Sequence, residues 1–264
     1  MLTLSDDRGH LSYLVTGDGP PVVLVHAGVA DHRMWDQVAP VLAERHTVIR
    51  YDLRGFGASA VPTGPFGETD DLLRLLDHLG LDAVHLVGAS WGGRVAAEFT
   101  LAHPGRVRSL TLLAAPWPRY EWSADMIAYD EAETAALAAG DLDAAVEVNL
   151  DMWLRGPARE WDEVASGAAD RLRDPLRTSL VNQGVVGEHA QGATPADITA
   201  IAVPTLVGVG TLDVPDFQAI ARRYATGIPG ATLVEFADAA HLIALDAPAE
   251  LAAVLGPFLT GQEA

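Results

Sequence analysis

The chain has 264 residues with 36 acidic and 17 basic side chains, a formal net charge of −19, and every basic residue is arginine because lysine is absent. A surface this negative repels nucleic-acid phosphates and anionic lipid headgroups, so neither nucleic acid nor membrane is an expected partner. There is no cysteine, which excludes disulfides, thiolate metal sites and a cysteine nucleophile together.

Hydrophobic residues make up 49% and charged residues 20% of the chain. That is enough apolar material for one large α/β domain, or for a core domain carrying an insertion. The opening MLTLSDDRGHLSYLV has no basic stretch followed by an apolar one, and no run of about 18 apolar residues occurs anywhere. An unexported, cytoplasmic protein is the expectation.

Residues 2–4 and 10–15 flank Asp6-Asp7-Arg8-Gly9 and read as an antiparallel hairpin. Strand-like runs follow at 22–26, 47–51, 84–87, 107–113, 205–209 and 232–236. They are continuous apolar runs, as expected for strands covered by helices on both faces. Residues 34–44, 69–79, 92–102 and 247–259 have helical period; Leu72, Leu73, Leu75, Leu76 and Leu79 share one side and Gly80 supplies a stop signal. Strands alternating with helices predict an α/β fold built on a mostly parallel sheet. The stretch 116–197 breaks the rhythm with helix-like segments at 123–139, 141–154 and 159–172, between Pro116-Trp117-Pro118 and Gly192-Ala193-Thr194-Pro195. It is expected to be a helical cap over the C-terminal strand ends, on a core formed by 1–115 and 198–264.

The strongest chemical signal is Gly88-Ala89-Ser90-Trp91-Gly92-Gly93, directly after one predicted strand and before a helix. G-x-S-x-G in that setting is a nucleophile elbow. A sharp strand-to-helix turn forces the central side chain out of the sheet, and close backbone approach requires the small flanking residues. The helix N-terminus beyond Ser90 then offers free N–H groups and a positive dipole end to a developing oxyanion.

A serine hydroxyl needs a base to take its proton. For an elbow serine the partners follow in the order acid, then histidine, each in a loop after a strand. Asp213 follows the run 205–209 and His241 follows the run 232–236. Asp216 and Asp238 compete for the acid role. Asp216, just after Pro215, reads as a helix N-terminal residue, and Asp238 is too near His241 in sequence to come from a separate strand. A second oxyanion donor is expected from the loop His26-Ala27-Gly28-Val29-Ala30, where the Gly28 N–H would converge with that of Trp91. His26 reads as a prop for that loop.

These segments, together with Asp52-Leu53-Arg54-Gly55-Phe56-Gly57-Ala58-Ser59, resemble the α/β-hydrolase superfamily, of the esterase, lactonase and haloperoxidase-like kind. The resemblance implies an eight-stranded sheet with a helical cap between the sixth and seventh strands. It departs from the family at His26-Ala27, where members often carry His-Gly. It implies a Ser90–His241–Asp213 hydrolase acting on an ester or lactone of a small, largely apolar substrate, with no metal and no cofactor. A peptidase resembling proline iminopeptidases, with acidic cap residues such as Glu121, Asp125, Asp130, Glu131, Glu133 or Glu147 holding an amino terminus, is an alternative. So are a carbon–carbon bond hydrolase and a binding protein that keeps the pocket without turnover.

Overall fold

A computed structural model describes residues 1–190 and 197–262. The predicted marker Gly192-Ala193-Thr194-Pro195 lies outside the described residues. Eight strands form one sheet in the order β1-β2-β4-β3-β5-β6-β7-β8. They are β1 (Leu2–Asp6), β2 (Gly9–Thr16), β3 (Pro21–Val25), β4 (Thr47–Tyr51), β5 (Val84–Ala89), β6 (Val107–Leu113), β7 (Thr205–Gly210) and β8 (Thr232–Phe236). The first two are antiparallel to each other, and β2 is antiparallel to β4. From β4 to β8 every neighbouring pair is parallel.

The continuous apolar runs are explained by burial on both faces. In β3, Val22 and Leu24 pack on one side with the C-terminal helices, whereas Val23 and Val25 pack on the other. All four are fully buried, each worth about 1.5–3 kcal/mol of apolar transfer. Helices α1 (Ala39–Leu42), α8 (Ile243–Asp246) and α9 (Pro248–Thr260) supply the first cluster; α2 (Glu68–His78), α3 (Trp91–Ala102) and α7 (Pro215–Gly227) supply the second.

The connections that position the site lie around β3. After β3 the chain moves to β4 on one side, then returns to pair β5 on the other. The loops leaving the C-terminal ends of β3 and β5 therefore diverge, and such a switch point opens a crevice.

Between β6 and β7 the regular elements among the described residues are helical: α4 (Ala124–Ala138), α5 (Leu142–Asn149), a π-helical turn Leu150–Arg155, a 3-10 turn Trp161–Glu163, α6 (Ala168–His189) and a 3-10 turn Ile198–Ala200. Their apolar residues Val146, Leu150, Leu154, Leu172 and Leu176 join the same cluster as Val22, Trp35 and Leu242.

Two predicted helices differ from the observed ones. Residues 34–44 form a 3-10 turn His32–Trp35 and the short α1; Pro40 has no N–H to carry a helix through its interior and instead sits at the start of α1. The predicted helix over 159–172 is broken at Gly167, which caps α6 with φ 74°. The long helix lies C-terminal to that glycine.

Candidate active site

Ser90 sits between β5 and α3 with φ 49° and ψ −119°, a conformation an L residue adopts only at a cost of about 1–3 kcal/mol. Its N–H donates to Leu113 O at 2.8 Å, and its carbonyl accepts from Gly93 and Arg94. A Cβ at Gly88 would collide with the Gly92 carbonyl, and one at Gly92 with the carbonyls of Val25 and His26. The spacing of the motif is thus set by backbone touching backbone.

Asp213 and His241 arrive from loops beyond β7 and β8. The His241 Nε2 atom lies 2.8 Å from Ser90 Oγ. Its Nδ1 lies 3.1 and 3.0 Å from the two Asp213 carboxylate oxygens. An ionised carboxylate only accepts, so Nδ1 carries the proton and Nε2 is left to accept from the serine hydroxyl. Asp213 and His241 are buried. Asp213 is further held by the Val214 N–H, which donates to Oδ1 at 2.7 Å.

The two competing aspartates go elsewhere. Asp216, in the first turn of α7, accepts from the Ser123 N–H at 2.9 Å and the Ser123 hydroxyl at 2.7 Å, tying the N-cap of α4 to the core. Asp238 is exposed.

Gly28 follows β3 and faces Trp91, whose Cβ would stand 3.3 Å from a Cβ placed on Gly28. The Trp91 N–H opens α3 and so has no acceptor within the helix. The loop is propped by His26, whose Nε2 accepts from the Leu53 N–H at 3.0 Å. The Trp91 indole is fixed as well: its Nε1–H donates to Glu68 at 2.6 Å, and the Arg94 guanidinium lies 4.3 Å from the ring centre. Burial pushes the Glu68 carboxyl above its ordinary range, with the Trp91 hydrogen bond and Arg94 opposing.

Asp31, His32 and Asp52 are buried and close enough together to face one ion, but their atoms are engaged. Asp31 pairs with Arg33, while Asp52 accepts from the His32 backbone, the His32 ring and the Ala58 N–H. Burial alone would raise the Asp52 pKa; the hydrogen bonds from the His32 ring and from the Ala58 and His32 N–H groups oppose it, and the pKa is lowered.

Around His241 the surroundings are aromatic. Phe217 and Trp153 have ring centres 4.4 and 4.5 Å from the imidazole. Ala114, Met126, Trp153, Val214 and Phe217 form one apolar cluster there. The acidic residues between β6 and β7 do not converge on it: Glu121, Asp125, Asp130 and Glu131 are exposed, Glu147 pairs with Arg173, and Glu133 is taken up by Tyr129 and Asn149.

Sequence reasoning missed a second pair behind the histidine. Arg159, from the loop after the π-helical turn, holds both oxygens of Asp246 at 2.8 Å. Asp246 also accepts from the N–H of Ala240, next to His241, at 2.9 Å. No local motif marks either residue, since they are 87 positions apart.

Residues 20–248 match the family model of the alpha/beta hydrolase fold. The chain is 30% identical to a hydrolase from Pseudomonas aeruginosa PA01, with a TM-score of 0.81, covering 98% of this chain and 97% of that one. It is 27% identical to haloalkane dehalogenase 2 from Mycobacterium bovis over 94% of this chain and 91% of that protein. It is 37% identical to a fluoroacetate dehalogenase from Burkholderia sp, where the match covers 39% of this chain and only 36% of the dehalogenase. Among the described residues, no helix is long and apolar enough to cross a membrane.

Proposed function

The chain belongs to the alpha/beta hydrolase fold family, and on that premise we propose that it is a serine hydrolase cleaving a carboxylic ester or lactone of a small, largely apolar substrate. The observation that carries this reading is the continuous hydrogen-bonded line from Asp213 through His241 to Ser90. Ser90 Oγ attacks the carbonyl carbon while its proton passes to His241 Nε2, and Asp213 steadies the imidazolium. The N–H groups of Gly28 and Trp91 hold the tetrahedral oxyanion. Collapse expels the alcohol, which takes the proton from His241, and leaves an acyl-Ser90 ester. Water, deprotonated by the same histidine, then releases the acid. In this reading residues 116–197 form a cap on a core of 1–115 and 198–264, and the substrate lies between them against the Met126–Trp153–Phe217 cluster.

Similarity to dehalogenases does not bring their substrates with it, because a resemblance to those enzymes would place an aspartate where this chain has Ser90. The reading is tested by incubation with a fluorophosphonate, mass spectrometry of the labelled peptide, and hydrolysis of short-chain nitrophenyl esters. Labelling at Ser90 with turnover, both lost in Ser90→Ala, is expected. Failure of the wild-type chain to label would refute it.

A further inference from the structure

A histidine tied to its acid through Nδ1 alone still has freedom to pivot about that bond, which would swing Nε2 away from the serine. The walls that remove this freedom at His241 come from two different parts of the fold. Phe217, on α7, meets the imidazole edge to face at 69°. Trp153, on the π-helical turn Leu150–Arg155, meets it at 45°. The two aromatic rings also touch each other, with centres 5.7 Å apart.

Trp153 is itself locked. Its Nε1–H donates to the Tyr129 hydroxyl at 2.8 Å. That hydroxyl lies 2.8 Å from Asn149 Oδ1 and 3.0 Å from Glu133 Oε2. The Asn149 amide closes the circuit by donating to Glu133 and to the Ala145 carbonyl. The hydroxyl has one proton for those two acceptors, and the Asn149 amide supplies Glu133 in either case; this part-buried network orients a single indole. π-helical turns are rare and frequently found at functional sites.

The backbone beyond Trp153 is latched to both catalytic loops. Gly156 has φ 74°, and a Cβ there would stand 2.9 Å from Leu212 O and 3.0 Å from the Ala240 Cβ. Those residues immediately precede Asp213 and His241. Arg159 then clamps the Leu154 carbonyl and Asp246, and Asp246 holds the Ala240 N–H.

We propose that Trp153 is a positioning residue for the general base: the segment 150–159 reaches down from the helical insertion and holds the His241 imidazole in line with Ser90. The proposal rests on the serine-hydrolase reading above. It makes the insertion part of the machinery that activates the serine, in addition to any role in enclosing substrate.

The test compares the second-order rate of Ser90 labelling by a fluorophosphonate, and kcat and KM for p-nitrophenyl butyrate, in wild type, Trp153→Leu, Trp153→Ala and Trp153→Phe. Trp161→Ala, an exposed indole on the same insertion, is the control. Trp153→Leu keeps apolar volume and guards against simple loss of folding in Trp153→Ala. Loss of the aromatic wall is expected to slow labelling and kcat together by ten-fold or more, with KM changed by less than three-fold. Trp153→Phe is expected to recover to within three-fold of wild type, and Trp161→Ala to match wild type. Labelling of Trp153→Leu at the wild-type rate, a loss confined to KM, or a phenylalanine variant as slow as leucine would each overturn the proposal. A wild-type chain that does not label would instead remove the serine-hydrolase reading, and this inference would fall with it.

Discussion

The Asp213 carboxylate faces the His241 Nδ1 with both oxygens, at 3.1 and 3.0 Å, across a separation of 28 residues in the chain. Both groups are buried, so the pair sits where a hydrogen bond to a charged group is strongest. Asp213→Asn keeps the shape but offers an amide N–H to Nδ1, stabilising the wrong tautomer. It is expected to lower kcat by roughly 10⁴-fold, the loss seen when the acid of a serine triad is amidated. Steady-state kinetics on a nitrophenyl ester read this directly.

Asp216→Ala separates the acid role from the tethering role. It deprives the Ser123 N–H and hydroxyl of their acceptor, at a cost of about 1–3 kcal/mol. For a chain of this size that is a fall in Tm of roughly 2–12 °C, with kcat reduced far less than in Asp213→Asn. A kinetic loss equal to that of Asp213→Asn would make Asp216 the acid.

The Arg159–Asp246 pair is buried, with side chains 4% and 1% exposed. Arg159→Met strands a carboxylate whose pKa burial already raises and which Arg159 pulls down. The expected destabilisation is about 3–5 kcal/mol. Adding Asp246→Leu removes the stranded charge and is expected to restore a large part of it. Urea unfolding of the four members of this cycle measures the coupling.

Glu68 gives a pH dependence with a definite sign. Burial raises its folded pKa above the unfolded carboxyl range, so above that raised pKa the ionised group costs stability. As pH falls through the raised value toward about 4.5 the folded state takes up the proton first, and the cost disappears. Glu68→Gln keeps an acceptor for the Trp91 indole and is expected to raise Tm at pH 8. The gain should shrink steadily toward pH 4.5. A constant difference across that range would show that the charge is not responsible.

Much of the architecture was legible because local and global rules agree here. Continuous apolar strands alternating with amphipathic helices can bury themselves only as a covered, mostly parallel sheet. The elbow was legible for the same reason: a serine between glycines at a strand-to-helix junction has few conformations open to it. Placing Asp213 and His241 in loops after successive strands predicted that they would reach one end of the sheet, and they meet there. The helix expected over 34–44 failed because apolar period outweighed Pro40. The one over 159–172 does not form because Gly167, with φ 74°, breaks it and caps the helix that follows.

The sequence by itself determined which strands are buried, where the chain turns sharply, and which residue types could share a proton. Those properties depend on short-range periodicity and backbone sterics, which a linear string displays. Only the tertiary structure decided that Trp153 would lie 4.5 Å from His241, that Arg159 would find Asp246, and that Asp216 would serve Ser123. These contacts join residues far apart in the chain through packing of the segment between β6 and β7 against the rest of the fold. Their energy comes from burial and from satisfying polar groups in one particular three-dimensional arrangement, for which no local pattern is required.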